Sequence, residues 1–173
     1  MRALLPFFLA SLSSLATTGC DDPCAAGPAP TVEIGRLVGT ASFEPLEDGE
    51  EVPMGFAPQG GMGVVTALRT THLSAHETMV IFPRSVHTHL LVDGVDESGA
   101  ALVLGDFTLD PGVYCVDNSF GLVTDVIFGF DPVYNETPGV LDGRTVTLTV
   151  EVEDDQGTKA TDEVDVVISD PQQ

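Results

Sequence analysis

Residues 145–168 constrain the fold more tightly than any other part of the chain. Val146, Leu148, Val150 and Val152 alternate with Thr145, Thr147, Thr149, Glu151 and Glu153. This period of two gives an extended strand one apolar and one solvated face. Asp154-Asp155-Gln156-Gly157 supplies a turn, after which Val164, Val166 and Ile168 alternate with Glu163, Asp165 and Val167. Such a hairpin is stable only when its apolar face is covered by further strands. The rest of the chain offers them. Pro, Gly and Asp punctuate apolar runs rich in Val, Ile, Leu, Thr and Phe, which predicts strands at 32–38, 63–71, 79–82 running on into 86–92, 101–109, 113–116 and 122–130. No stretch carries the period of a long helix. Strands of uneven length, about seven to nine in all, predict an all-β fold, an antiparallel two-sheet sandwich in preference to a barrel.

The chain begins with a different kind of segment. Arg2 precedes an apolar run (Leu4, Leu5, Phe7, Phe8, Leu9, Leu12, Leu15) that closes on Thr17-Thr18-Gly19-Cys20. It is too short to span a bilayer as a stable anchor, and it has the parts of an export signal. It resembles a bacterial lipoprotein signal ending in a lipobox. The resemblance implies cleavage after residue 19 and acylation of Cys20, which would attach the chain to a membrane through its N-terminal lipid. Thr17 stands where that family usually has Leu, and the alternative is an ordinary secreted protein cut near Ala16. Asp21 and Asp22 follow the Cys. In enteric bacteria an Asp at that place resembles an inner-membrane retention signal, but sorting differs among lineages, so inner and outer membrane both stay open. The expected organisation is a signal at 1–19, a lipidated tether at 20–31 without apolar period and with three prolines, and one domain at 32–170.

The 143–168 hairpin resembles the last two strands of immunoglobulin-like modules of the PKD and cadherin-like kinds in bacterial envelope proteins. Asp110-Pro111-Gly112-Val113-Tyr114 is similar to the Asp-x-Gly-x-Tyr turn that opens a strand in many such sandwiches. Cys115 follows Tyr114 by one residue instead of two, and the chain has no Trp, which excludes the core disulfide of antibody domains. With the Gly55 to Met62 stretch included, the chain resembles small bacterial lipoproteins of the myxobacterial type carrying an immunoglobulin-like domain. That resemblance implies an envelope location and no catalytic activity.

Net charge is −21, and loss of Arg2 with the signal would make it more negative. Such a surface repels phosphate backbones and anionic headgroups, so no nucleic-acid partner is expected. The spread of acid along the chain serves solubility, with a divalent cation or a basic partner as the sharper readings. Acylation of Cys20 would leave Cys24 and Cys115 as the one intramolecular disulfide available in an oxidising compartment. The alternative is a free thiol at each.

No Gly-x-Ser-x-Gly, His-Glu-x-x-His, phosphate loop or Cys-x-x-Cys occurs. Ser85 near His87 and Ser119 near Asp117 are ordinary loop residues in this context. The chain reads as a non-enzyme needing no cofactor. Asp93–Glu97 and Asp154-Asp155 place hard oxygen ligands in loops without a calcium-loop pattern, so they read as turn chemistry. The four histidines, His72, His76, His87 and His89, fall close together. In the 86–92 strand Val86, Leu90 and Val92 share the core-facing side, which puts His87 and His89 side by side on the other. With His72 or His76 folded back, three nitrogens could hold zinc or copper. Two function classes follow. The first is a lipid-anchored, non-catalytic binding or structural module for an envelope protein or glycan. The second is an envelope metal-binding protein.

Overall fold

The computed structural model describes residues 22–39, 42–56, 61–75, 84–96, 98–135 and 137–169. The expected signal at 1–19, Cys20, His76 and the expected 79–82 strand lie outside the described residues. The described chain is all-β. Its strands are β1 (Thr31–Val38), β2 (Ser42–Pro45), β3 (Glu50–Phe56), β4 (Met62–Thr71), β5 (Arg84–Ser85), β6 (His87–Val95), β7 (Ala101–Leu109), β8 (Gly112–Val116), β9 (Phe120–Gly129), β10 (Thr145–Glu153) and β11 (Lys159–Ser169). Two 3-10 turns, Pro132–Asn135 and Pro138–Val140, join β9 to β10.

Hydrogen bonding runs continuously in the order β5-β8-β9-β4-β3-β11-β10-β6-β7, with β1 and β2 off this path. The result is one curled sheet. Strand β3 is the joint: Glu50–Pro53 pairs with β11 and Met54–Phe56 pairs with β4. The β3–β11 pairing is parallel, which corrects the expectation of a purely antiparallel arrangement. Its cause is directional. Both β1 and β3 run antiparallel to β4, with the β2 hairpin as an excursion between them, and β3 runs the same way as β11, which pairs with it beyond β4.

The curl brings the far edge back. Asp131 N–H donates to the Leu104 carbonyl at 2.6 Å, beside the place where β7 crosses β9. Gly105 makes this approach possible, since a Cβ there would stand 2.0 Å from the Gly129 carbonyl oxygen and 2.9 Å from the Phe107 ring. A bulge between Thr66 and Leu68 on β4, opposite Asp125 of β9 at φ 56°, adds local twist to the same sheet.

The core fills the concave side. Val146, Leu148, Val150 and Val152 from β10 meet Val164, Val166 and Ile168 from β11, Leu90 and Val92 from β6, and Phe128 from β9. Val150 and Phe128 are fully buried. Each such side chain contributes roughly 1.5–3 kcal/mol by leaving water, so the alternation seen in the 145–168 sequence is the main apolar stabilisation of that half of the sheet.

Candidate binding face and the disulfide end

The N-terminal segment is fastened to the domain. Cys24 and Cys115 form the expected disulfide, with Cα atoms 5.7 Å apart, a separation normal for such a bond. Main-chain bonds align 22–30 with the end of β4. His72 N–H donates to the Pro23 carbonyl (2.7 Å), Gly27 N–H to the His72 carbonyl (2.9 Å) and Ala75 N–H to the Cys24 carbonyl (2.8 Å). His72 stands at φ 57°, with its Nδ1 3.0 Å from the Ala29 carbonyl oxygen. The segment expected as an extended tether is thus docked from Cys24 onward. An open cleft of about 380 Å³ beside the disulfide is lined by Ser74, Arg84, Asn118 and Gln156 among others. Arg84 donates to the Ser74 hydroxyl and faces Asp155 at 3.5 Å.

Asp154 organises the same end from within. Its Oδ1 accepts the N–H groups of Gln156 (2.9 Å) and Thr158 (2.8 Å), and its Oδ2 accepts that of Ser74 (3.0 Å). Burial works to raise this carboxyl. The N–H donors from Ser74, Thr158 and Gln156 outweigh it and hold the group below the ordinary aspartate range. Asp96 does similar turn work, accepting from Ser98 and Ala100. Both loops expected to use Asp for turn chemistry do so.

The outer face of β6 and β10 carries the remaining sequence candidates. Thr88, Leu90 and Val92 point inward, and His87 and His89 therefore lie together on the outer side, as the alternation predicts. His87 Nδ1 is 3.0 Å from Asp110 Oδ1, and His89 Nε2 is 2.8 Å from Asp106 Oδ1. The ladder sets Glu153 opposite His87 and Glu151 opposite His89. Lys159 of β11 reaches both glutamates, at 2.9 Å and 3.2 Å, and hydrogen bonds from Glu153 and then Glu151 hold its ammonium above the usual lysine range. The face is exposed and sets carboxylates, the Lys159 ammonium and two imidazoles in close register, and surface pairs of this kind add little stability. Each imidazole has its own carboxylate, Asp106 from β7 for His89 and Asp110 from the turn after β7 for His87, and His72 is engaged with the N-terminal segment. Among the described residues no three His, Cys, Asp or Glu side chains converge on a point that could hold a metal ion. Among the described residues no serine hydroxyl is bonded to either imidazole, and the Ser119 hydroxyl contacts the Asp117 carbonyl at 3.3 Å.

A third cluster was not signalled by sequence. Phe43 of β2 lies over Gly35, where a Cβ would meet its ring at 2.3 Å. The Arg69 guanidinium stands 4.9 Å from the ring centroid and pairs with Glu33. This stack fixes the β1–β2 excursion to the main sheet. No protein-family model, curated protein or solved structure matches the chain.

Proposed function

We propose that this chain is a lipid-anchored bacterial cell-envelope lipoprotein whose single domain is a non-catalytic binding or structural module of the immunoglobulin-like kind. The observation that carries the reading is at the N-terminus. A lipobox-like sequence ends at Cys20, and Cys24, four positions on, is bonded to Cys115. A lipid on Cys20 would then hold the domain close to the membrane, with only residues 20–23 between acyl chains and disulfide. At about 3.3–3.6 Å per extended residue, that is too short for a free-ranging tether.

The strand order supports the immunoglobulin-like assignment. One group, β4-β9-β8, and a second, β11-β10-β6-β7, are joined through β3, which pairs antiparallel with β4 and in parallel with β11. Immunoglobulin-like sandwiches are built from two such groups of strands, and here β3, the third strand, pairs with both. A non-enzymatic role is supported by the sites themselves. The exposed histidines are paired with surface carboxylates, and the clefts are open and polar. The partner is an envelope protein or glycan, reached through the exposed face of β6, β10 and β11 or through the loops. Replacing Cys20 by Ser and fractionating cells tests the anchor. Release of the chain into the soluble fraction is the expected result, and retention in the membrane fraction would contradict it.

A further inference from the structure

The two ends of the sheet differ in what they expose. The ladders place the disulfide, the β8–β9 turn and the β10–β11 turn at one end. The end of β3, the start of β4, the end of β6, the start of β7 and residues 130–135 and 137–144 lie at the other. Phe56, Val95, Val103, Val133 and Val140 belong to this second end and are 65%, 54%, 56%, 66% and 45% exposed. Among the described residues, no large apolar side chain is comparably exposed in the turns of the disulfide end.

Hydrogen bonds bring the first end-facing residues together. The 130–135 segment is joined on one side to Met62, through Phe130 N–H to the Met62 carbonyl (2.8 Å) and Met62 N–H to Asn135 Oδ1 (2.9 Å). Met62 pairs with Phe56 across the ladder. On its other side the segment is joined to Leu104, next to Val103. Val133 therefore belongs to a segment bonded on one side to the ladder partner of Phe56 and on the other to the neighbour of Val103. Exposed Asp96, Asp131 and Asp142 belong to the same end, and the Arg144 guanidinium reaches the Val95 carbonyl at 3.5 Å.

We propose that this end docks a basic protein partner on an apolar patch of Phe56, Val103 and Val133, bordered by Val95 and Val140. Solvent-exposed apolar groups rimmed by polar ones mark contact surfaces. The charge of the chain, −21, selects among occupants. A second copy and an anionic lipid surface are both repelled, whereas a cationic protein surface is attracted and steered. The direction also rests on the anchored reading, since a lipid on Cys20 would hold the disulfide end at the membrane and turn the Phe56 end outward.

The test is photo-crosslinking in cells producing the full chain, with benzoylphenylalanine placed singly at Phe56, Val133, Thr149 or Gln156, followed by mass spectrometry. The expected result is an adduct with one protein of net positive charge, at least about tenfold stronger from Phe56 and Val133 than from Thr149 and Gln156. In isolated membranes its yield should fall when salt is raised from about 0.05 M to about 0.5 M, because a shorter screening length weakens charge steering. Equal yields from all four positions, an adduct with a second copy, with lipid or with an acidic protein, or no adduct at all would overturn the proposal. Anchoring is read separately from the fractionation of the Cys20→Ser chain, so the two ideas fail independently.

Discussion

Removing the Cys24–Cys115 bond should lower the stability of the domain by several kcal/mol, and the size follows from the loop it joins. The bonded residues are 91 positions apart in sequence. In the chain-entropy treatment, a cross-link over a loop of this length removes about 15–16 cal/mol/K from the unfolded ensemble, or about 4.6 kcal/mol at 25 °C. The folded state loses little else, because the N-terminal segment keeps its three main-chain bonds to the 72–75 stretch. The assay is urea unfolding of the Cys24→Ser/Cys115→Ser chain followed by far-ultraviolet circular dichroism. With a urea slope of about 2 kcal/mol/M for a domain of this size, the midpoint should fall by about 2 M. Wild-type protein unfolded in reductant should match the double variant, which separates loss of the bond from any effect of the serines. A midpoint within about 0.3 M of wild type would refute the reasoning, since it would mean that the bond does not restrict the unfolded chain.

Three further outcomes are expected. Val150→Asp should prevent folding, because it buries an unpaired charge at a fully buried position. Thr149→Asp, on the other face and opposite Glu163, should cost only about 0.2–1 kcal/mol, and thermal melts of the two distinguish the faces. Asp154→Asn should destabilise by about 1–3 kcal/mol, and it should also change the acid limb. The native carboxyl lies below its unfolded value of about 3.9, so its contribution is complete above about pH 4 and is lost as pH falls through the folded value. Stability against pH measured from pH 2 to 6 should therefore be flatter in the variant over that acid range. Calorimetric titration with zinc and copper after chelator treatment should show no stoichiometric submicromolar site. Tight binding lost in His87→Ala and His89→Ala would favour the metal-binding reading.

Sequence carried the parts of the fold that rest on local alternation. The faces of β10, β11 and β6 were legible because each side chain's direction follows from its neighbours two positions away. That is why Val150 was placed in the core and His87 and His89 together outside. Strand β3 was missed even though Val52 and Met54 alternate inward. Pro53 and Gly55 interrupt the run and read as turn residues, while Pro53 in fact lies at the last pair with β11. The parallel β3–β11 pairing depends on residues more than a hundred positions apart and leaves no local signature. Docking of 22–30 was hidden for a related reason, since it uses main-chain groups and one cysteine in place of an apolar period. Asp106 became the partner of His89 only through the β6–β7 register, and Asp110 that of His87 through the turn after β7, pairings that no local pattern shows.

The central claim is that this domain is held at a membrane through Cys20. The most direct measurement is intact-mass and N-terminal peptide mass spectrometry of the chain purified from the membrane fraction, beside fractionation of Cys20→Ser. The account predicts a mature chain beginning at Cys20, carrying a diacylglycerol and, in most lineages, an amide-linked acyl group, and a Cys20→Ser chain that is soluble. A wild-type N-terminus without lipid, together with a Cys20→Ser chain that stays with the membrane, would contradict it.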